Sequence, residues 1–253
     1  MNKIICGDAR NMHQIEDNSV NLVVTSPPYN ANITYDNSDD NLSREDYLNL
    51  LYNVWKECYR VLTDDGRICI NICNIHKPYQ HNTGDIARQL EDLGFTLRGE
   101  IVWFKDLPVN SSSAWGSFNS PSNPALRDKH EYIIIAYKKH AKLQRKGKSD
   151  LIGKEFIRYT CGEWHIRPVN VHQKHGHPVP FPLELPRRCI KLYSYIGDVV
   201  LDPFVGSGTT CLAAKELRRQ YIGIDISKKY CEIAHERCKQ EFIWKWGKIL
   251  NDK

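Results

Sequence analysis

Asp198-Val199-Val200-Leu201-Asp202 runs directly into Pro203-Phe204-Val205-Gly206-Ser207-Gly208-Thr209-Thr210, and then into a helix-like stretch from Cys211 to Arg219. The first five residues are a short, β-branched apolar run, the pattern of a buried strand. The glycines allow backbone N–H groups to approach a ligand, and the amino end of the following helix favours a carboxylate on it. Strand, glycine loop and helix together predict a cofactor cradle in an α/β sheet. Tyr221-Ile222-Gly223-Ile224-Asp225 reads as the next strand and ends in an acid, at about the distance where a carboxylate accepts ribose hydroxyls in dinucleotide folds. A nicotinamide fingerprint is not met, because Cys211 occupies the third glycine position counted from Gly206.

A second strand-then-turn lies far upstream. Leu22-Val23-Val24 is followed by Thr25-Ser26-Pro27-Pro28-Tyr29-Asn30. Two consecutive prolines fix φ and remove two backbone donors, so the strand stops there and leaves carbonyls of a rigid turn beside a hydroxyl and a ring. Those groups suit an amino group on a planar base: the hydroxyl and a carbonyl accept its N–H bonds while Tyr29 stacks on the base face. A strand-ending turn with Tyr29 packed into the core is the plainer reading of the four letters alone.

The remaining chain supplies alternating elements. Ile4 to Cys6 ending at Gly7-Asp8 predicts a strand with a carboxylate at its end. Ala31 to Leu42, rich in Asn and Asp, predicts a mobile loop or lid beside the double-proline lip at Ser26 to Tyr29. Ser43-Arg44-Glu45-Asp46 caps a helix whose apolar residues, Tyr47 to Leu62, recur at three- and four-residue spacing. Thr63-Asp64-Asp65-Gly66 should end it, and Arg67 to Cys73 alternates into a strand. Gly84 to Leu93 predicts a helix closed by Gly94, and Phe95 to Phe104 with Glu131 to Tyr137 an antiparallel pair at one sheet edge. The loop from Asp106 to Lys129, with Trp115 and Phe118 among small polar residues, is long enough to be functional, and base or backbone contact competes there with local packing.

The 253 residues suffice for one large core, and the charge of +5 permits a polyanionic partner without demanding one. Six Lys or Arg between Tyr132 and Ser149, with no acid among them, read as a phosphate-facing patch or a solvated loop. Nine scattered cysteines are not a disulfide framework, and a reducing cytosol is expected. Asp8 arrives too early for a signal-peptide core and no apolar run reaches membrane length, so an intracellular protein is expected, with no membrane partner. His172, His175 and His177, with Cys161 and His165, lack a CxxC partner, and no metal site is assigned.

These residues carry a resemblance. Asp202 to Thr210, preceded by His177 to Leu185 and followed by Tyr221 to Asp225, is similar to the S-adenosylmethionine half of a β-class DNA amino-methyltransferase, and Asn21 to Asn30 to that family's catalytic half. The order, with the catalytic motif first and the cofactor loop last, is that of the β class. The resemblance implies a Rossmann-like methyltransferase fold, α/β, with a mostly parallel twisted sheet, an antiparallel edge, helices on both faces and a circularly permuted motif order. It implies one domain in three parts: a catalytic half over 1–104, a recognition insert over 105–176 that includes the edge strand 131–137, and a cofactor half over 177–253. It places S-adenosyl-L-methionine against Asp202, Phe204, Gly206, Ser207, Gly208 and Thr209, with Asp225 on its ribose and Asp8 on its adenine amine. Ser26, Pro27, Pro28 and Tyr29 would hold the target base. Double-stranded DNA is the implied substrate, a homodimer and a cognate restriction endonuclease are partners the family allows, and the implied location is the nucleoid of a prokaryotic cytoplasm.

No covalent enzyme intermediate is needed when the methyl donor is already activated. Ring-carbon methylation would need an attacking cysteine after a proline, and no cysteine here follows one. Ser26, where many adenine-N6 members carry Asp, resembles the cytosine-N4 members, so cytosine N4 is the expected target and adenine N6 the near alternative. A cofactor-binding regulatory or RNA-binding module is the reading from a different class.

Overall fold

The computed structural model describes residues 2–34, 36, 40–76, 78–107, 115–169 and 180–239. Strand β1 (Asn2–Cys6) and strand β2 (Val20–Thr25) precede helix α1 (Arg44–Val61) and strand β3 (Leu62–Ile72). A two-residue hairpin, β4 (Ile75–His76) and β5 (Tyr79–Gln80), leads into α2 (Asn82–Asp92), β6 (Thr96–Phe104), β7 (His130–Tyr137), α3 (Gly153–Tyr159) and β8 (Glu163–His165). The chain closes with α4 (Glu184–Tyr193), β9 (Val199–Asp202), α5 (Thr209–Glu216), β10 (Gln220–Asp225) and α6 (Lys228–Lys239).

Eight strands form one sheet in the order β1-β10-β9-β2-β3-β7-β6-β8. Every neighbouring pair is parallel except the two that involve β7. Side chains alternate across the sheet, as the period of two demands. Val23, Ile68, Ile70, Ile134 and Leu201 face α1 and α2, while Leu22, Val24, Ile133, Ile135 and Val200 face α4, α5 and α6. With both faces covered, the central strands are near-continuous apolar runs.

The first helix forms as its sequence predicts. Ser43 Oγ accepts from the Asp46 N–H at 3.1 Å, acids occupy the first turn, and Tyr47, Leu51, Val54, Trp55, Cys58 and Val61 make the buried stripe. Gly94, at φ +93°, closes α2 where a left-handed residue is needed.

Three expectations are corrected. Helix α1 does end just ahead of Thr63 to Gly66, but the strand expected from Arg67 begins already at Leu62: its register against β2 slips between Val20–Leu62 and Leu22–Arg67, so Thr63 to Gly66 form a bulge within the ladder. Strand 131–137 is not an edge, because β7 is paired on both sides, with β3 and with β6; the edge is β8, which pairs parallel to β6 and was not foreseen. The basic run after Tyr137 sits at the amino end of β3, opposite the loops that follow β2 and β9, and much of it is consumed internally. Lys138 Nζ donates to Asn18 Oδ1 and the Leu62 carbonyl, Lys139 pairs with Asp64, and Arg145 pairs with Asp65 and Asp198.

Trp115 and Phe118 pack edge-to-face at 5.7 Å and the Arg127 guanidinium stacks 3.5 Å above the Trp115 ring, while Phe118 stays 71% exposed. His172, His175 and His177 lie outside the described residues. Among the described residues no group of three or more His, Cys, Asp or Glu is placed to hold a metal ion, and no helix is long and apolar enough to cross a membrane.

Candidate active site

Parallel strands bring their carboxyl ends to one side of the sheet, and the order reverses between β9 and β2, the place where open α/β sheets open a crevice. The loops after β1, β2, β3, β9 and β10 meet there. Because β7 runs the other way, it brings its amino end to the same side: Glu131 stands opposite Trp103, near the end of β6. Together they enclose a cavity of about 550 Å³.

At one end the cavity is lined by Asp8, Phe204, Gly206, Ser207, Thr209 and Asp225, at the other by Ser26, Pro27, Pro28, Tyr29, Asn71 and Glu131. Two residues expected in the cofactor contact, Asp202 and Gly208, are not part of the wall. Asp202, 1% exposed, lies behind it, and its Oδ1 accepts from Thr25 Oγ1 at 2.7 Å and from the Phe204 N–H at 3.1 Å. It ties the end of β2 to the start of the glycine loop. Burial, only partly offset by those donors, pushes its carboxyl up to about 6. Gly208 is needed for conformation and close packing: its φ is +83°, and a Cβ there would sit 2.9 Å from Ala234 Cα.

The wall at the β9–β10 end has the donor set that a nucleoside sulfonium needs. Asp225 Oδ2 accepts from the Gly206 N–H and Oδ1 from the Ser227 N–H, each at 2.9 Å, which fixes the carboxylate and leaves a lone pair on each oxygen for vicinal hydroxyls. Burial raises the Asp225 carboxyl against those two bonds. Phe204, itself edge-on to Trp55 at 6.2 Å, offers an aromatic surface, and Gly206 and Ser207 offer backbone without bulk. The residues therefore fit S-adenosyl-L-methionine. Asp8 reaches the same wall, but its carboxylate is engaged by Arg10 through the backbone N–H, Nε and Nη2, and this pairing holds it below the usual carboxylate range. An adenine amine at Asp8 must share that carboxylate with Arg10.

The lip after β2 is held from several sides. Tyr47 Oη donates to the Pro28 carbonyl at 3.0 Å, and Asn82 Nδ2 reaches the Tyr29 carbonyl at 3.4 Å. Asp40 caps the following turn, accepting from the N–H groups of Asn30, Ala31 and Ile33. The described part of the loop thus has an anchor at Asp40, and a second where Asp36 accepts from Ser227 Oγ at 2.9 Å. Among the described residues, the Pro27 carbonyl takes no hydrogen bond.

Beneath the lip a polar cluster joins Ser26 and Tyr29 to Asn71, Lys105 and Glu131, three residues to which the sequence reading gave no role. Ser26 Oγ is 2.9 Å from Tyr29 Oη, which donates to Glu131 Oε2 at 2.8 Å. Asn71 Nδ2 donates to Tyr29 Oη at 2.7 Å and to Glu131 Oε2 at 2.6 Å, and Lys105 Nζ pairs with Glu131 Oε1 at 2.6 Å. Burial first, then the Glu131 charge, pushes the Tyr29 phenol well above its ordinary value, so it stays protonated. A signal for the cluster existed: Asn71 is a polar residue in the middle of an otherwise apolar, inward-facing run.

Residues 20–236 match the family model described as DNA methylase. A type II methyltransferase, M.MjaI of Methanocaldococcus jannaschii, is 36% identical over 93% of this chain and 90% of its own length. M.HpaI of Haemophilus parainfluenzae, also a type II methyltransferase, is 32% identical over 95% of this chain and 75% of its own. Among solved structures, a Thermus thermophilus protein of the DNA modification methylase kind, complexed with S-adenosyl-L-methionine, superposes with a TM-score of 0.76 at 30% identity, covering 94% of this chain and 93% of that one. The cytosine-N4-specific PvuII DNA methyltransferase shares the fold, with a TM-score of 0.75 at 21% identity, over 96% of this chain and 88% of that one.

Proposed function

The chain belongs to the DNA methylase family, and within it we propose that the enzyme methylates the exocyclic N4 of a cytosine turned out of duplex DNA. It is an S-adenosyl-L-methionine-dependent DNA methyltransferase of the restriction–modification type. The observation that supports transfer to an amine held at the lip is the continuity of one cavity from Asp225 and Phe204 to Ser26 and Pro27. Donor and acceptor of a methyl group must meet within a few ångströms, and a single continuous cavity satisfies that.

When bound, the cofactor supplies a methyl group already activated on a positive sulfur. Asp225 would hold its ribose hydroxyls, Phe204 its apolar ring, and Gly206, Ser207 and Thr209 the remainder. Ser26 Oγ and the open Pro27 carbonyl would each accept one N–H of the target amine. These bonds favour a pyramidal nitrogen whose lone pair is withdrawn from the ring, and they tighten as the nitrogen becomes positive, so they act on the transition state more than on the ground state. The amine of a stacked base cannot enter a recess behind the lip, so the base must leave the helix, at a cost of a few kcal/mol. The Tyr29 ring, which lines the cavity, offsets part of that by stacking. Ser26, in place of the Asp found in many adenine-N6 relatives, supports cytosine.

The test is incubation with labelled S-adenosyl-L-methionine and genomic DNA, followed by nucleoside mass spectrometry. N4-methylcytosine is the expected product. N6-methyladenine would keep the chemistry and overturn the base assignment, and label in neither nucleoside would overturn the proposal.

A further inference from the structure

We propose that Glu131 is a positioning residue that, through Tyr29, turns the Ser26 hydroxyl into an acceptor for the target amine and then takes up the proton this amine must lose. The inference rests on the function proposed above and extends it to residues outside the lip.

Hydrogen-bond arithmetic gives the direction. An ionised carboxylate only accepts, so in the 2.8 Å contact Tyr29 donates its one proton to Glu131 Oε2. Tyr29 then has no proton left for Ser26, and in their 2.9 Å contact Ser26 must be the donor. This leaves both lone pairs of Ser26 Oγ unengaged by Tyr29; one of them meets Asn71 Nδ2 only at 3.4 Å. Were Tyr29 not committed to Glu131, it could donate to Ser26, whose proton would then point towards an amine that itself only donates. A carboxylate two hydrogen bonds away therefore sets the polarity of the contact.

Glu131 is held for this task. Lys105 occupies one carboxylate oxygen and Asn71 the other, each at 2.6 Å. Asn71 accepts a penalty for its orientation: it is 1% exposed, and its Oδ1 is buried without a hydrogen-bond partner. A buried orphan acceptor costs about 1–3 kcal/mol, and it persists here because both amide N–H groups are committed to Tyr29 and Glu131.

The same chain balances the reaction. The amine lone pair forms the new N–C bond, and the electrons of the broken C–S bond stay on sulfur. The nitrogen, now positive with two hydrogens, sheds one proton. That proton passes to Ser26 Oγ as the Ser26 proton moves to Tyr29 Oη and the Tyr29 proton to Glu131. The net change is one proton from nitrogen to carboxylate, and Glu131, with 10% of its side chain exposed, returns it to solvent.

The experiment compares Glu131→Gln, Tyr29→Phe and the double variant in steady-state methylation of duplex DNA, with calorimetric binding of S-adenosyl-L-methionine as the check on folding. Glu131→Gln should lower kcat about 100-fold or more, as removal of a proton acceptor does, with donor affinity and the KM for DNA changed by no more than about twofold. Tyr29→Phe, which keeps the ring, should lose a comparable factor, and the double variant should lose little beyond the worse single one, because both cut one chain. A purely structural role would weaken donor or DNA binding along with turnover. Glu131→Gln turning over within about threefold of an active wild type, or losses that multiply in the double variant, would overturn this inference alone. A wild type that transfers no methyl group to DNA would overturn the proposed function, and this inference with it.

Discussion

Asp202→Asn removes a charge that the fold keeps in a dry place, and the consequence is a gain in stability with a defined pH dependence. The Asp202 side chain is fully enclosed, and burial, with a smaller contribution from the charge of Asp225, lifts its carboxyl from the ordinary 3.8 to about 6 despite the donors Thr25, Thr210 and the Phe204 N–H. Between those two values the folded protein binds more protons than the unfolded chain. Stability therefore falls as pH rises from about 4 through about 6 and is level above that. At about 1.4 kcal/mol per pH unit, the ionised carboxylate costs about 3 kcal/mol near neutral pH relative to acid. An asparagine carries no such penalty, and its Oδ1 keeps the two bonds that Asp202 Oδ1 accepts now, from Thr25 Oγ1 and the Phe204 N–H. Urea unfolding of both proteins across about pH 4 to 8 should show the variant more stable by up to about 3 kcal/mol at neutral pH, with the gap closing on the acid side. A variant less stable than the parent at neutral pH would refute the reasoning, because the hydrogen bonds to the ionised form would then outweigh its desolvation. Donor affinity should be unchanged within about threefold, since Asp202 stands behind the wall; a tenfold loss would restore it to direct contact.

Three further outcomes are expected. Ser26→Ala removes one acceptor from the amine in the transition state, so kcat should fall about 10²–10³-fold in a radiolabel transfer assay with donor affinity intact, by analogy with the loss of one oxyanion donor. Asp225→Asn replaces a charged acceptor with an amide and leaves either the Gly206 or the Ser227 N–H without a carboxylate oxygen; donor binding should weaken about 10–100-fold by calorimetry, while kcat at saturation changes little. Gly208→Ala forces a side chain into the left-handed region and against the Ala234 backbone, so it should cost about 2 kcal/mol or more in denaturant unfolding.

What was legible in the chain was what is local. The strand–loop–helix at Asp202 to Thr210 and the double-proline lip are each written in consecutive residues, and their local chemistry allows few other conformations. The Ser43 cap and the Gly94 stop are of the same kind. What escaped depends on pairing between distant segments. Residues 131–137 look the same whether they lie at an edge or between β3 and β6, because a strand's own pattern records burial and not its neighbours. Strand β8 is three residues long, too short for any period. Asp202 sits in a cofactor motif, yet its depth is set by Thr25, 177 residues away. The basic run read as a phosphate-facing patch or a solvated loop because its acids, Asp64, Asp65 and Asp198, are supplied by other parts of the chain.

The same non-local pairing explains why the order of the motifs along the chain does not disturb the site. Strand β2 lies between β9 and β3, so the lip stands at the boundary of two functional sides. On one side β9, β10 and β1 supply Phe204, Asp225 and Asp8, and β1, although it begins the chain, belongs to that side by its pairing with β10. On the other, β3 and β6 end and β7 begins beside one another, and they supply Asn71, Lys105 and Glu131. On the mechanism proposed above, methyl donation and proton removal would approach the target amine from opposite flanks of one strand. The Thr25–Asp202 bond fixes the distance between the lip and the glycine loop whatever the order of the segments between them. The antiparallel direction of β7 is what brings Glu131, at its amino end, to the carboxyl ends of β3 and β6.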